Sequence, residues 1–150
     1  MAVGCAAAHP HLCEGLITLS AQAFAAPETL AGIRAAKMQF EAPTQMARLA
    51  NYHAQKADWV LYAWTNTWLS DGFRSWSLDP QLPKVSCPVL SLHGENDEFG
   101  SAQHPELIAK GVTGLSQHHI LKGCGHMPHR EHTQEVLAKV YSFICDARAI

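Results

Sequence analysis

Apolar and polar positions alternate with two different periods in the second half of the chain. The stretches at 88–94 and 117–123 each end in a glycine and predict strands. Residues 105–112 and 131–145 place apolar residues at helical spacing and predict helices. The order strand, helix, strand, helix predicts a parallel, right-handed αβ unit. The last helix is expected to turn one face to the sheet, formed by Val136, Leu137, Val140, Phe143 and Ile144.

The amino-terminal part contributes one more predicted strand. The run "GLITLS" at 15–20 is short, apolar and β-branched, which indicates a buried strand. Residues 2–8 are rich in alanine and predict a helix with no capping residue before it. We expect 15–20, 88–93 and 117–122 to be neighbouring strands of one sheet, and the fold class to be α/β.

A helical segment separates the first strand from the second. Pro27 and Pro43 each start a stretch with helical spacing of apolar residues, and residues 57–69 predict a third helix. Within this third helix Trp64 and Trp68 lie four positions apart, on one face. Residues 71–84 are interrupted by glycine and proline and predict a connector.

Size and charge limit the function classes. The 150 residues are 47% hydrophobic and 16% charged, which is typical of one globular domain. A net charge of −2 with scattered lysine and arginine argues against nucleic acid or an anionic membrane as a partner. Five cysteines at irregular spacing do not indicate a disulfide framework and favour a cytoplasmic location. The start of the chain lacks the positive region of a signal peptide, and no segment has the length of a membrane span.

Two loops follow predicted strands directly, so they belong at the same edge of the sheet. The first, "HGENDEFGS" at 93–101, contains acids, and the second, "GCGHMPHRE" at 123–131, contains histidines. In parallel sheets, functional loops lie at the carboxyl ends of the strands. A carboxylate there can accept the Nδ1 proton of an imidazole and stabilise the imidazolium ion.

The two loops resemble the carboxyl-terminal part of an α/β-hydrolase. The residues that carry the resemblance are His93-Gly94-Glu95-Asn96-Asp97 and, about 30 residues on, Gly123-Cys124-Gly125-His126. The resemblance implies a partial α/β-hydrolase domain over 1–150, with a helical cap-like insertion at about 27–80. It also implies Asp97 as the triad acid, His126 as the general base, and no cofactor. The implied reaction is hydrolysis of an ester or related acyl bond in a small, partly apolar molecule.

The sequence departs from the family at the nucleophile. No G-x-S-x-G motif occurs in the chain, and the residues from Met1 resemble the helix that follows that motif. Cys5 is not a substitute, because position 3 is valine where the turn needs glycine. We therefore expect a serine a few residues before Met1, and a chain that is inactive by itself. The alternative is a non-catalytic module that forms homo-oligomers through the exposed edge of strand 15–20.

Each candidate residue also has a second interpretation. Asp97 could be a turn aspartate, with Glu98 as the acid, and His126 could be an ordinary loop histidine. Trp64 and Trp68 could line a substrate pocket or pack helix on helix. A zinc site is a further alternative, but four ligands within nine residues cannot easily enclose an ion, and two of them are expected in the last helix. The four candidate ligands are Cys124, His126, His129 and His132.

Overall fold

The structure is a computed structural model, and it describes residues 1–147. The chain forms two compact units, one from residues 1–24 and 77 onward and the other from residues 25–76. The helices of the first unit are α1 (Ala2–Ala8), α5 (Gln103–Gly111), α6 (Pro128–Glu131) and α7 (Thr133–Ala147). Its strands are β1 (Leu16–Leu19), β2 (Val89–Gly94) and β3 (Ser116–Leu121). The helices of the second unit are α2 (Pro27–Gln39), α3 (Pro43–His53) and α4 (Ala57–Trp68).

The three strands form a parallel sheet in the order β1-β2-β3. Val89 pairs with Leu16 on one side and with Ser116 on the other, so β2 is the central strand. All six residues of β2 are buried, as expected for an apolar strand covered on both faces. The predicted parallel αβ arrangement is therefore confirmed, and the loops at 93–101 and 123–131 leave the same edge of the sheet.

Helix α7 covers the sheet with a narrower apolar stripe than its sequence suggests. Val136 and Phe143 are buried against Leu90, Leu92 and Leu121, and Val140 packs partly against the same cluster. Leu137 and Ile144 were expected in this face, but they are 56% and 40% exposed. Positions 136, 140 and 143 follow one line along the helix, whereas 137 and 144 lie one residue further round, at its flank. Burying each large apolar side chain contributes roughly 1.5–3 kcal/mol to the stability of the fold.

The second unit consists of the three helices that the sequence predicts, and two of them start at the expected prolines. Helix α4 packs against both α2 and α3. Ile33 and Leu61 are buried in this unit, and the buried hydroxyl of Thr65 donates to the carbonyl of Leu61 at 2.9 Å. Within residues 1–147, every helix is too short or too polar to cross a bilayer.

Candidate active site

A tight turn after β2 holds Asp97. The backbone N–H of Asp97 donates to the carbonyl of Gly94 at 3.3 Å, and the N–H of Phe99 donates to Oδ1 of Asp97 at 2.8 Å. The second bond makes the side chain part of its own turn, as is usual for aspartate. It also fixes the carboxylate, whose side chain is fully buried.

A second turn after β3 presents His126. Gly123 has φ of +71°, in the left-handed region that favours glycine, and it reverses the chain after the strand. The N–H of Cys124 then donates to the carbonyl of Leu121 at 3.3 Å. The chain continues to His126, whose side chain is 34% exposed.

The structure brings Asp97 and His126 into direct contact. Nδ1 of His126 lies 2.9 Å from Oδ1 and 3.0 Å from Oδ2 of Asp97. Because a carboxylate can only accept, Nδ1 carries the proton and donates it to both oxygens. The ring of Phe99 lies edge-on to the imidazole, with 4.8 Å between centroids. The arrangement leaves Nε2 as the ring nitrogen that can take up a proton from another group.

Close backbone contact between the two loops sets this geometry. A Cβ at Gly94 would collide with the carbonyl oxygens of Gly125 and Cys124, and it would lie 2.5 Å from the latter. The N–H of Asn96 donates to the same Cys124 carbonyl at 2.8 Å. Gly94 therefore allows the loop at 123–131 (the histidine loop) to lie directly on the loop at 93–101 (the acid loop). Sequence reasoning missed this role.

The charges of the pair support one another. Burial raises the pKa of Asp97, but the hydrogen bonds from His126 and Phe99 outweigh it, and the pKa lies below its usual range. Burial lowers the pKa of His126, but the hydrogen bond and charge of Asp97, with Glu98 and Glu131, raise it above its usual range. The pair is therefore built to hold a carboxylate and to stabilise the imidazolium form of His126.

A second histidine, His93, lies on the other side of the acid. Its side chain is fully buried, and Nε2 lies 3.2 Å from Oδ2 of Asp97 without the alignment of a hydrogen bond. Its ring centroid is 6.0 Å from that of His104. Burial lowers the pKa of His93, although Asp97 partly opposes this, so the ring is neutral at neutral pH. His93 is one of the residues that carry the resemblance to the α/β-hydrolases. Nothing in the sequence pattern indicated that its side chain lies beside Asp97.

The remaining sequence candidates are placed as follows. Glu98 is exposed, and within residues 1–147 no hydrogen bond joins it to His126. It raises the pKa of that ring through its charge alone. Trp68 packs edge-on against Phe73 and Trp76, at 4.9 and 5.4 Å, inside the second unit. Trp64 is half-buried in the same unit. A role in a substrate pocket stays a prediction for both tryptophans.

The structure separates the four zinc candidates. Cys124 is fully buried, and burial, followed by nearby acids, raises the pKa of its thiol. His126 directs Nδ1 at Asp97. The expectation that His129 and His132 start the last helix is corrected, because His129 lies in the separate short helix α6 and His132 lies between α6 and α7. Within residues 1–147, no group of three or more histidine, cysteine or acidic residues is arranged to hold a metal ion.

Comparison with known proteins gives structural neighbours only. No family model and no curated protein sequence matches the chain. One similar structure is a bacterial membrane phospholipase A, at 20% identity and a TM-score of 0.72, over 99% of this chain and 54% of that one. NosK from Streptomyces actuosus gives 21% identity and a TM-score of 0.72, over 98% and 64%. A third is an alpha/beta hydrolase enzyme from a deep-sea metagenome library, at 16% identity and a TM-score of 0.64, over 95% and 60%. The chain thus spans less than two thirds of each of these structures.

Proposed function

We propose that this chain, whose fold is that of the α/β-hydrolases, supplies the acid and the base of a nucleophile-His-Asp triad. The observation that carries the proposal is the bond from His126 Nδ1 to a fully buried carboxylate, at 2.9 Å, while the imidazole itself stays 34% exposed. With Nδ1 bound to Asp97, Nε2 is the nitrogen of this partly exposed ring that is left for another group.

The proposed reaction is acyl transfer to a serine and then to water. Nε2 of His126 takes the proton of the attacking hydroxyl and returns it to the leaving group. Asp97 keeps the proton on Nδ1 and stabilises the imidazolium ion that forms. We propose an ester or related acyl bond of a small, partly apolar molecule as the substrate. One of the structural neighbours is named a phospholipase A, which is compatible with this class.

The nucleophile is proposed to come from outside the 150 residues. The chain contains no G-x-S-x-G, and the neighbouring structures extend well beyond the part that it matches. In α/β-hydrolases the nucleophile precedes the acid and the histidine in the sequence. The proposal therefore places the serine in a segment that would lie on the amino-terminal side of Met1.

The test compares two proteins on a short p-nitrophenyl ester. The first is the 150-residue chain, and the second is the product of the longest open reading frame that contains it. We expect turnover only in the second, because a base and an acid without a nucleophile lack the covalent route. Turnover by the 150-residue chain, abolished by His126→Ala, would contradict the proposed origin of the nucleophile.

A second candidate function, self-association, is favoured by the edge of β1. The N–H groups of Leu16 and Ser20 donate to Pro88 and Leu92 at 2.9 Å, so alternate residues turn their backbone groups to the open side. The residues with outward-facing backbone groups are Ile17 and Leu19. A cavity of about 810 Å³ lies beside Ile17, between β1 and α7. An apolar strand edge of this kind is a template for a second copy of the chain.

We expect Leu19→Lys to shift the isolated chain toward monomer, because a charged residue on an edge strand opposes pairing. Leu12→Lys adds the same charge at a residue that is 71% exposed and lies outside the strand, and it should leave the mass unchanged. Light scattering during size exclusion measures the mass. A wild-type chain that is monomeric at every concentration would exclude self-association.

A further inference from the structure

The carboxylate of Glu131 binds the backbone amides on both sides of His126. Its Oε2 accepts the N–H of Gly125 at 2.7 Å, and its Oε1 accepts the N–H of Met127 at 2.9 Å. One acid therefore holds the backbone on both sides of His126. Such charge-assisted bonds are stronger than neutral ones and leave neither amide dependent on water.

Local structure places Glu131 for this contact. It is the last residue of α6, and that short helix begins two residues after His126. A Cβ at Gly125 would lie 3.1 Å from Oε2 and 3.2 Å from Oε1, so the absence of a side chain there lets the carboxylate come close. The two backbone hydrogen bonds hold the pKa of Glu131 below its usual range, which keeps the group ionised.

A second carboxylate holds the start of the same loop. Oε2 of Glu95, in the acid loop after β2, accepts the N–H of Gly123 at 2.8 Å. The N–H groups of 123, 125 and 127 are thus each bound by an acidic side chain, in a segment outside helices and strands. The alternating pattern indicates that acidic side chains contribute to the loop conformation beside its backbone bonds.

We propose that Glu131 is a positioning residue: it fixes the backbone at 125 and 127 so that the His126 ring meets Asp97. The inference rests on the proposed role of His126 as general base. Glu131 bonds to the backbone beside His126 and acts on the imidazole through the loop. Without it, the Gly125 and Met127 amides turn to water and the ring loses its single orientation.

Three variants of the labelled 150-residue chain test this by nuclear magnetic resonance. Glu131→Asp keeps the charge but shortens the side chain, and Glu131→Gln keeps the length but can accept at only one of the two positions. Glu135→Gln is the matched control, because Glu135 is an exposed acid two residues into α7 that pairs with His132 and Lys139. The readouts are amide exchange at 125 and 127, the Nδ1–H signal of His126, and the His126 titration.

Both Glu131 variants should raise amide exchange at Gly125, Met127 or both by about tenfold or more, since each loses at least one bond that protects an amide. Both should also weaken the Nδ1–H signal and lower the pKa of His126, whereas Glu135→Gln should leave amide exchange and the Nδ1–H signal unchanged. Because Glu131 is exposed, its substitution should leave the core intact. Slow exchange of the core amides shows that each variant is folded.

A change in Glu131→Gln with none in Glu131→Asp would overturn the proposal, because it would mean that Glu131 acts through charge alone. No change in either variant would overturn it as well. These readouts need no turnover, so they are separate from the ester assay. If His126 is not a general base, the ester assay fails while the loop measurements are unaffected.

Discussion

Replacing Gly94 by alanine should lower the free energy of unfolding by about 3 kcal/mol. The added Cβ would meet two backbone carbonyl oxygens, those of Gly125 and Cys124, and neither can rotate away as a side chain could. The two loops would have to separate, which also breaks the bond from Asn96 N–H to the Cys124 carbonyl. Urea denaturation of the isolated chain measures the change.

Gly4→Ala provides the matched control. Gly4 lies in helix α1 with nothing within 4 Å of an added Cβ. There the same substitution should raise the stability by roughly 0.5–1 kcal/mol, because glycine is unfavourable inside a helix. If Gly94→Ala were as stable as the wild type, the loops would be able to move apart at little cost, and their close contact would not define the site.

The largest functional effect is expected at His126. In the product of the longest open reading frame, His126→Ala should reduce kcat for a p-nitrophenyl ester by about 10³-fold or more. The reason is chemical: the nucleophile loses the group that takes its proton, and the leaving group loses its proton donor. Asp97 keeps one proton on Nδ1 of His126, so Nε2 is the ring nitrogen that can take the proton of the nucleophile.

The sequence predicted the framework of the site because periodicity and strand order determine it. The order strand, helix, strand, helix from residue 88 onward indicated a parallel pair, and loops at the carboxyl ends of neighbouring parallel strands lie at the same edge of the sheet. Within the two loops, the resemblance to the α/β-hydrolases implied Asp97 and His126, which lie 2.9 Å apart in the structure. Between the two acids of the turn, Asp97 contacts the ring, whereas Glu98 is exposed.

The contacts that hold the loops could not be read from the sequence. The collision that an added Cβ at Gly94 would cause depends on how closely two loops approach, which no local pattern encodes. The helix predicted over 131–145 puts Glu131 at its start, where a carboxylate suits the helix dipole. In the structure it ends the separate helix α6 and binds loop amides. Burial of His93 beside Asp97 likewise depends on packing around the strand end.

We propose His126, paired with Asp97, as the general base of a serine-type hydrolase. The decisive measurement is the ratio of the kcat losses caused by His126→Ala and His129→Ala in the ester assay. His129 is an exposed histidine in the same region, but it lies in α6. We expect a loss of about 10³-fold or more at His126 and less than about threefold at His129. Comparable losses at the two histidines would contradict this proposal.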